Sequence, residues 1–170
     1  MTPTGNALGA TRVDPAANFR ARDDGPWSLV AHLCFEAPME PMGWSRAGHN
    51  GRSKRFYTRD DLRAYQTALA LHARGAMSRA GLAPAEGALR VDIEAWFELP
   101  KSRHRKREPV PHEPHASKPD GDNVAKAVLD ALNGIAWRDD AAVAQCEVAK
   151  WWAAQGEPAK VRVGVWRLVR

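Results

Sequence analysis

The sequence has no long apolar run, few cysteines and no internal repeat, and each absence excludes a class of protein. No stretch of about 18 apolar residues is present, so the sequence predicts no transmembrane helix. Residues 1–20 lack the apolar segment of a secretory signal. Two cysteines, Cys34 and Cys146, do not make the disulfide framework of a small secreted domain. A protein of the reducing cytoplasm, with no membrane partner, is the simplest interpretation.

The length and composition indicate one ordinary globular domain. A single core usually serves roughly 100–200 residues, and this chain has 170. Hydrophobic residues make up 44% and charged residues 26%, which argues against global disorder. The 25 Lys and Arg residues exceed the 20 Asp and Glu residues, giving a net charge of +5. That excess permits an anionic partner without identifying one.

The hydrophobic pattern predicts a mixed α/β (α+β) domain of order β-α-β-α-β-β, with two main helices on a sheet of about four strands. Residues 1–26 are rich in Gly, Pro and Ala and predict a flexible leader to a domain over 27–170. Alternation over 89–99 predicts a strand with one buried and one solvated face. The proline-rich segment after it, 100–115, predicts irregular structure. The other predicted elements are a strand over 27–35, a helix over about 59–79, a helix that begins at Asp122 or Asn123, and strands over about 142–152 and 160–169.

The candidate chemistry lies in an acidic motif around the second helix. Asp120 and Asp122 flank a glycine at the predicted helix start, and Lys126 follows one turn later on the face of Asp122. Asp139 and Asp140 come just after the helix, and a chain that returns beside its own start would bring one of them toward Asp122. Three converging carboxylates would suit Mg²⁺, with Mn²⁺ as an alternative.

Simpler roles exist for each of these acids. Asp120 and Asp122 could cap the helix, and Asp139 and Asp140 could form a polar turn. The coincidence of the acid pair, the lysine at i+4 and the second acid pair favours a metal site, where Lys126 would orient water or hold a phosphate oxygen.

The motif resembles the signature of the RusA family of Holliday junction resolvases. The similarity is strong over about 118–143, which includes the runs KPDGDNVAKAVLDALNG and WRDDAAV, and weaker in the strands on either side. It implies a RusA-like fold and a homodimeric, Mg²⁺-dependent endonuclease that cuts branched DNA, often encoded by phages or prophages. By position, it implies metal ligands at Asp120, Asp122 and Asp140, a catalytic lysine at Lys126, and supporting roles for Asn123 and Asp139. The segment Met42–Arg46 departs from the Arg-Pro-Arg-like element of related proteins, which leaves its DNA contacts open.

Two basic segments could hold the DNA backbone, since neutralising several phosphates drives binding to nucleic acid. A solvated charged loop is the alternative for each segment. The contact is favoured for the second segment and left open for the first. The candidate DNA-binding residues are Arg52, Lys54 and Arg55, then Lys101, Arg103, Arg105, Lys106 and Arg107.

Other side chains in the sequence allow further interpretations. His104, His112 and His115 could suggest zinc, but their loop lacks cysteines and a fixed scaffold. Trp151 and Trp152 could stack on unpaired bases, although core or interface packing is the commoner use of tryptophan. Cys34 and Cys146 lack a basic partner, which predicts structural rather than nucleophilic thiols.

The sequence therefore predicts a divalent-metal-dependent endodeoxyribonuclease that resolves Holliday junctions in recombination and repair. One alternative keeps the chemistry and changes the substrate to other branched DNA, such as flaps or forks. The other is a non-catalytic DNA-binding protein in which the acids only cap a helix and shape a turn.

Overall fold

The computed structural model describes residues 27–44 and 59–170. The predicted leader, and the candidate DNA-binding residues Arg52, Lys54 and Arg55, lie outside these ranges. The elements are β1 (Ser28–Ala37), α1 (Arg59–Ala80), β2 (Leu89–Phe97), β3 (Glu113–Pro114), α2 (Gly121–Leu132), β4 (Val143–Trp152) and β5 (Lys160–Val169). The predicted mixed α+β class is confirmed, with five strands instead of about four. Neither helix in the described ranges has a segment apolar enough to cross a membrane.

The sheet has the order β1-β5-β2-β4-β3. Strands β2 and β4 run parallel, and the other neighbouring strands are antiparallel. Parallel neighbours need a crossover connection, and α2 lies within the connection between β2 and β4. Both helices pack on the sheet through a core that includes Leu69, Ile93, Val128 and Val163. One side of α2 faces the core, since Val124, Ala127, Val128, Ala131 and Leu132 are buried.

Two expectations about strands and irregular segments are wrong. The polar face of β2 is not solvated, because Arg90 and Asp92 are only 3% and 6% exposed. Strand β2 lies between β4 and β5, and Arg90 Nε donates to Asp92 Oδ1 at 2.8 Å. The proline-rich segment also contains regular structure, the two-residue strand β3, which pairs with the end of β4. Pro114 is tolerated there because an edge strand can spare an N–H group.

Candidate active site

Helix α2 begins at Gly121, one residue before the predicted start, and Asp120 is its N-cap residue. The Asp120 backbone carbonyl accepts the N–H of Val124 at 3.1 Å, but its carboxylate makes no capping hydrogen bond. The Asp122 carboxylate accepts the N–H of Asn123 at 2.9 Å. Both acids are exposed at the helix end that favours negative charge. Side-chain capping therefore does not account for Asp120, and its carboxylate is open to a ligand.

Lysine 150 holds the chain that leads into α2. Lys150 Nζ donates to the backbone oxygens of Ser117 at 2.7 Å and Pro119 at 2.6 Å. Lys150 lies near the end of β4, so this strand fixes the residues immediately before Asp120. Sequence reasoning missed this role, since a lysine within a strand carries no motif.

Lysine 126 lies against an aromatic ring. Its Nζ is 4.5 Å from the ring centroid of Trp44, within cation–π range. The Trp44 N–H donates to the Asn123 carbonyl at 2.8 Å, which fixes residues 41–44 on the first turn of α2. A Cβ on Gly43 would lie 2.4 Å from Pro119 Cβ, so this approach requires glycine. The Gly43–Trp44 pair thus places an aromatic ring beside Lys126.

Asp140 lies at the opposite end of α2. Its Oδ1 accepts a 2.7 Å hydrogen bond from Trp137 Nε1. The backbone of Trp137 forms an isolated β-bridge with Asn133, the residue directly after the helix. A helix of 12 residues is about 18 Å long, so Asp140 and Asp120 of one chain cannot share an ion. Asp139 has a different use, since its Oδ1 accepts the Ala141 N–H at 2.8 Å and caps a short 3₁₀ turn.

The expectation that the acids converge within one chain is therefore not met. Across residues 27–44 and 59–170, no three His, Cys, Asp or Glu side chains are grouped to hold a metal. The chain does return after α2, but strand β4 begins at the far end of the helix. The residue that β4 brings beside the start of α2 is Lys150. Asp120 and Asp122 still supply the oxygen donors that Mg²⁺ prefers, and two carboxylates are a usual protein contribution to such a site.

The basic segment 101–107 is exposed, but hydrogen bonds to its backbone hold it in place. Gln155 accepts the Arg105 N–H at 2.8 Å and donates to the Arg105 carbonyl at 3.0 Å. Arg103 forms an ion pair with Glu113 and lies 5.4 Å from the ring centroid of Trp152. The exposed side chains of Lys101, Arg105, Lys106 and Arg107 share this fixed loop.

A cleft of about 480 Å³ opens beside Asp120. Its walls include Trp44, Phe97 and Trp152, and Lys118, Asp120 and Asn123 also line it. His115 lies in the wall with its ring 4.1 Å from Phe97 and 4.2 Å from Trp152, measured between centroids. Burial, and then the charge of Lys150, lowers the pKa of His115, while the backbone of His115 and Ser117 acts in the opposite direction.

The remaining candidates of the sequence do not gather at this site. His104 Nε2 lies 3.2 Å from the Leu99 carbonyl, and His112 contacts Trp96 and Trp151 edge-on. No disulfide joins Cys34 and Cys146. Burial raises the pKa of Cys146 to about 11, so its thiol stays protonated at neutral pH.

Comparison with known proteins identifies the family. The family model of the endodeoxyribonuclease RusA matches residues 38–165, about three quarters of the chain. The match spans the whole site, from the segment that carries Trp44 to strand β5. No curated protein matches the chain. With a family match over most of its length, and with the acids of the motif open at the start of α2, this chain belongs to the RusA family and is an endodeoxyribonuclease.

Proposed function

We propose that this endodeoxyribonuclease resolves four-way DNA junctions in recombination and repair, in the cytoplasm, with Mg²⁺ or Mn²⁺ as its cofactor. The observation that carries the proposal is the start of α2. Two exposed carboxylates, Asp120 and Asp122, lie there in a segment fixed by Lys150 and by the Gly43–Trp44 pair. Such a fixed acidic site is suited to a cation and the phosphate that it would bind.

Asp120 and Asp122 of one chain would hold the cation together with Asp140 of a second copy. This division follows from the placement of Asp140 at the far end of α2 and from the homodimer that the family resemblance implies. When bound, the cation would neutralise charge on the phosphodiester and lower the pKa of a water molecule. In a two-fold dimer the same contacts occur twice, so two sites would serve two DNA strands.

Lys126 would act at the same site as a cation for the phosphate or for the attacking water. It lies one turn after Asp122, and the Trp44 ring restricts where its Nζ can go. The exposed loop cations Lys101, Arg105, Lys106 and Arg107 would bind the DNA backbone away from the cut. Asn123 has a supporting role, since its carbonyl accepts the Trp44 N–H.

The test is cleavage of a synthetic four-way junction with and without Mg²⁺, beside a fork, a flap and a linear duplex. We expect Mg²⁺-dependent cuts and a preference for the junction. Asp122→Asn should bind the junction and fail to cut it, whereas Asp130→Asn, on the same exposed helix face, should cut normally. Full activity of Asp122→Asn would contradict the assignment. Equal cutting of forks or flaps would favour the wider branched-DNA substrate class.

A further inference from the structure

The cleft beside Asp120 has an aromatic interior that the chemistry of cleavage does not use. Trp44, Phe97 and Trp152 line it, and its volume of about 480 Å³ falls within the range of small-ligand sites. Acids and lysines that act on a phosphodiester need no aromatic wall. The cleft therefore suits a flat, apolar group that lies next to the phosphate.

One wall of the cleft contains a buried polar atom that makes no hydrogen bond of normal geometry within residues 27–44 and 59–170. His115 is 5% exposed, and its Nδ1 makes no hydrogen bond of normal geometry with the described residues. The ring is held by Phe97 and Trp152 on its two sides, at 4.1 and 4.2 Å between centroids. A buried polar atom that lacks such a hydrogen bond costs stability, so its presence in the cleft wall calls for a functional explanation.

The polar residues around the cleft fit a nucleotide. Lys118 lines it, and Lys126 lies 4.5 Å from the ring centroid of Trp44, so cations flank the aromatic wall. Glu40 lines it as well, and a carboxylate can accept a hydrogen bond from the exocyclic amine of a base. An aromatic interior with cations at its border matches a base and its attached phosphate.

We propose that this cleft binds one unstacked nucleobase of the DNA substrate, at the nucleotide next to the phosphodiester that is cut. The inference rests on the proposed function, because the position of Asp120 in the cleft wall links the base to the cleavage site. Nuclease chemistry on a strand beside Asp120 leaves the neighbouring base free to enter the cleft. Extrusion of a base is easiest where pairing is already interrupted, as at the crossover of a junction.

The test combines base removal with removal of the aromatic walls. The cut positions are first mapped on a four-way junction with Mg²⁺ and the full-length protein. Junctions with an abasic nucleotide on either side of the cut are then titrated without Mg²⁺, with wild type, Trp152→Leu and Trp44→Leu. Trp27→Leu is the matched control, since Trp27 is an exposed tryptophan one residue before β1, outside the cleft.

We expect one abasic position to weaken wild-type binding by about tenfold, as loss of one stacked base would. Trp152→Leu and Trp44→Leu should weaken binding of the intact junction similarly and become insensitive to the abasic change. Trp27→Leu should remain as sensitive as wild type. If Trp152→Leu does not fold, Trp44→Leu decides the test.

Two failures are distinguishable. In the first, the wild type cuts junctions, but an abasic nucleotide either does not weaken its binding or weakens the binding of both cleft variants to the same extent. This result overturns the base site alone. A wild-type protein that neither binds nor cuts junctions overturns the proposed function, and the base site with it.

Discussion

The placement of Asp120 and Asp140 at opposite ends of α2 leads to a decisive mixing experiment. If each site takes Asp120 from one copy and Asp140 from the other, two inactive variants can restore activity together. In a heterodimer of Asp120→Asn and Asp140→Asn, one site carries both substitutions and the other carries neither. If each site lies within a single chain, both sites carry one substitution and activity stays absent.

The expected magnitudes follow from ligand geometry and symmetry. Mg²⁺–oxygen distances of about 2.1 Å exclude carboxylates that are separated by the roughly 18 Å of the helix. Each variant alone should lose at least about 100-fold in cleavage rate, since even outer partners of a metal cost 10- to 100-fold. A heterodimer has one intact site of two, so an equal mixture that exchanges freely should recover about a quarter of the wild-type sites.

The assay uses co-expressed copies with two different tags, purified in sequence so that only heterodimers remain. A junction labelled on each strand in turn shows which strands are cut. We expect nicks in single strands at a rate far above either variant alone, because only one intact site acts per dimer. Paired cuts should stay rare.

Asp139→Asn is the control for the amide substitution. Asn can still accept the Ala141 N–H that Asp139 caps, so this variant should cut as wild type does. Heterodimers that cut no faster than the separate variants would refute the composite site. In that case Asp140 would be a structural residue that accepts the Trp137 hydrogen bond.

Three further predictions concern the residues around the site. Lys150→Met should lower the free energy of unfolding by about 1–3 kcal/mol in urea denaturation, since two hydrogen bonds from a charged donor are lost. The same substitution should slow cleavage of the junction more than it weakens binding of the junction. Equal losses of cleavage and binding would argue against a role of Lys150 in placing Asp120. Burial raises the pKa of Tyr65 to about 12, above the unfolded value of 10. Stability should therefore fall as pH rises from 10 to 12, by up to about 3 kcal/mol, and Tyr65→Phe should flatten that fall in circular dichroism melts. Finally, Lys106→Gln should reduce the salt slope of junction binding by about 0.9 per lost phosphate contact, whereas Arg103→Gln, which loses the pair with Glu113, should change the slope less. Equal slope changes in anisotropy titrations would show that Arg103 also reaches phosphate.

Periodicity predicted the elements because local pattern and local structure agree in them. The apolar residues Val124, Ala127 and Val128 form the buried face of α2, and Gly134, at φ +72°, directly follows its C-cap, where glycine is favoured. Periodicity along the chain does not determine the order of the strands in the sheet. The alternation in β2 could not show that Arg90 and Asp92 would be covered, because that depends on which strands flank β2.

The placement of Asp140 at the far end of α2 has a physical origin in the topology of the sheet. A helix that connects two parallel neighbouring strands runs antiparallel to both, so the strand after it starts at the helix's far end. Spacing along the sequence suggested a return toward Asp122, and the parallel pairing of β2 and β4 reverses that conclusion. Lys150 and Gln155 could not be found from sequence, since their partners are backbone groups about 31 and 50 residues away.

The net charge of +5 is a poor measure of how this chain meets DNA, because several cations already have internal partners. Lys150 binds backbone oxygens, Arg103 pairs with Glu113, and Arg162 bonds Glu94 and Glu36. Lys126 lies on Trp44, which restricts it without neutralising it. Within residues 27–44 and 59–170, four exposed cations, Lys101, Arg105, Lys106 and Arg107, share a loop whose backbone Gln155 fixes. A fixed loop loses less conformational freedom on binding than a mobile one, so position, more than the number of charges, should determine which DNA shape is favoured.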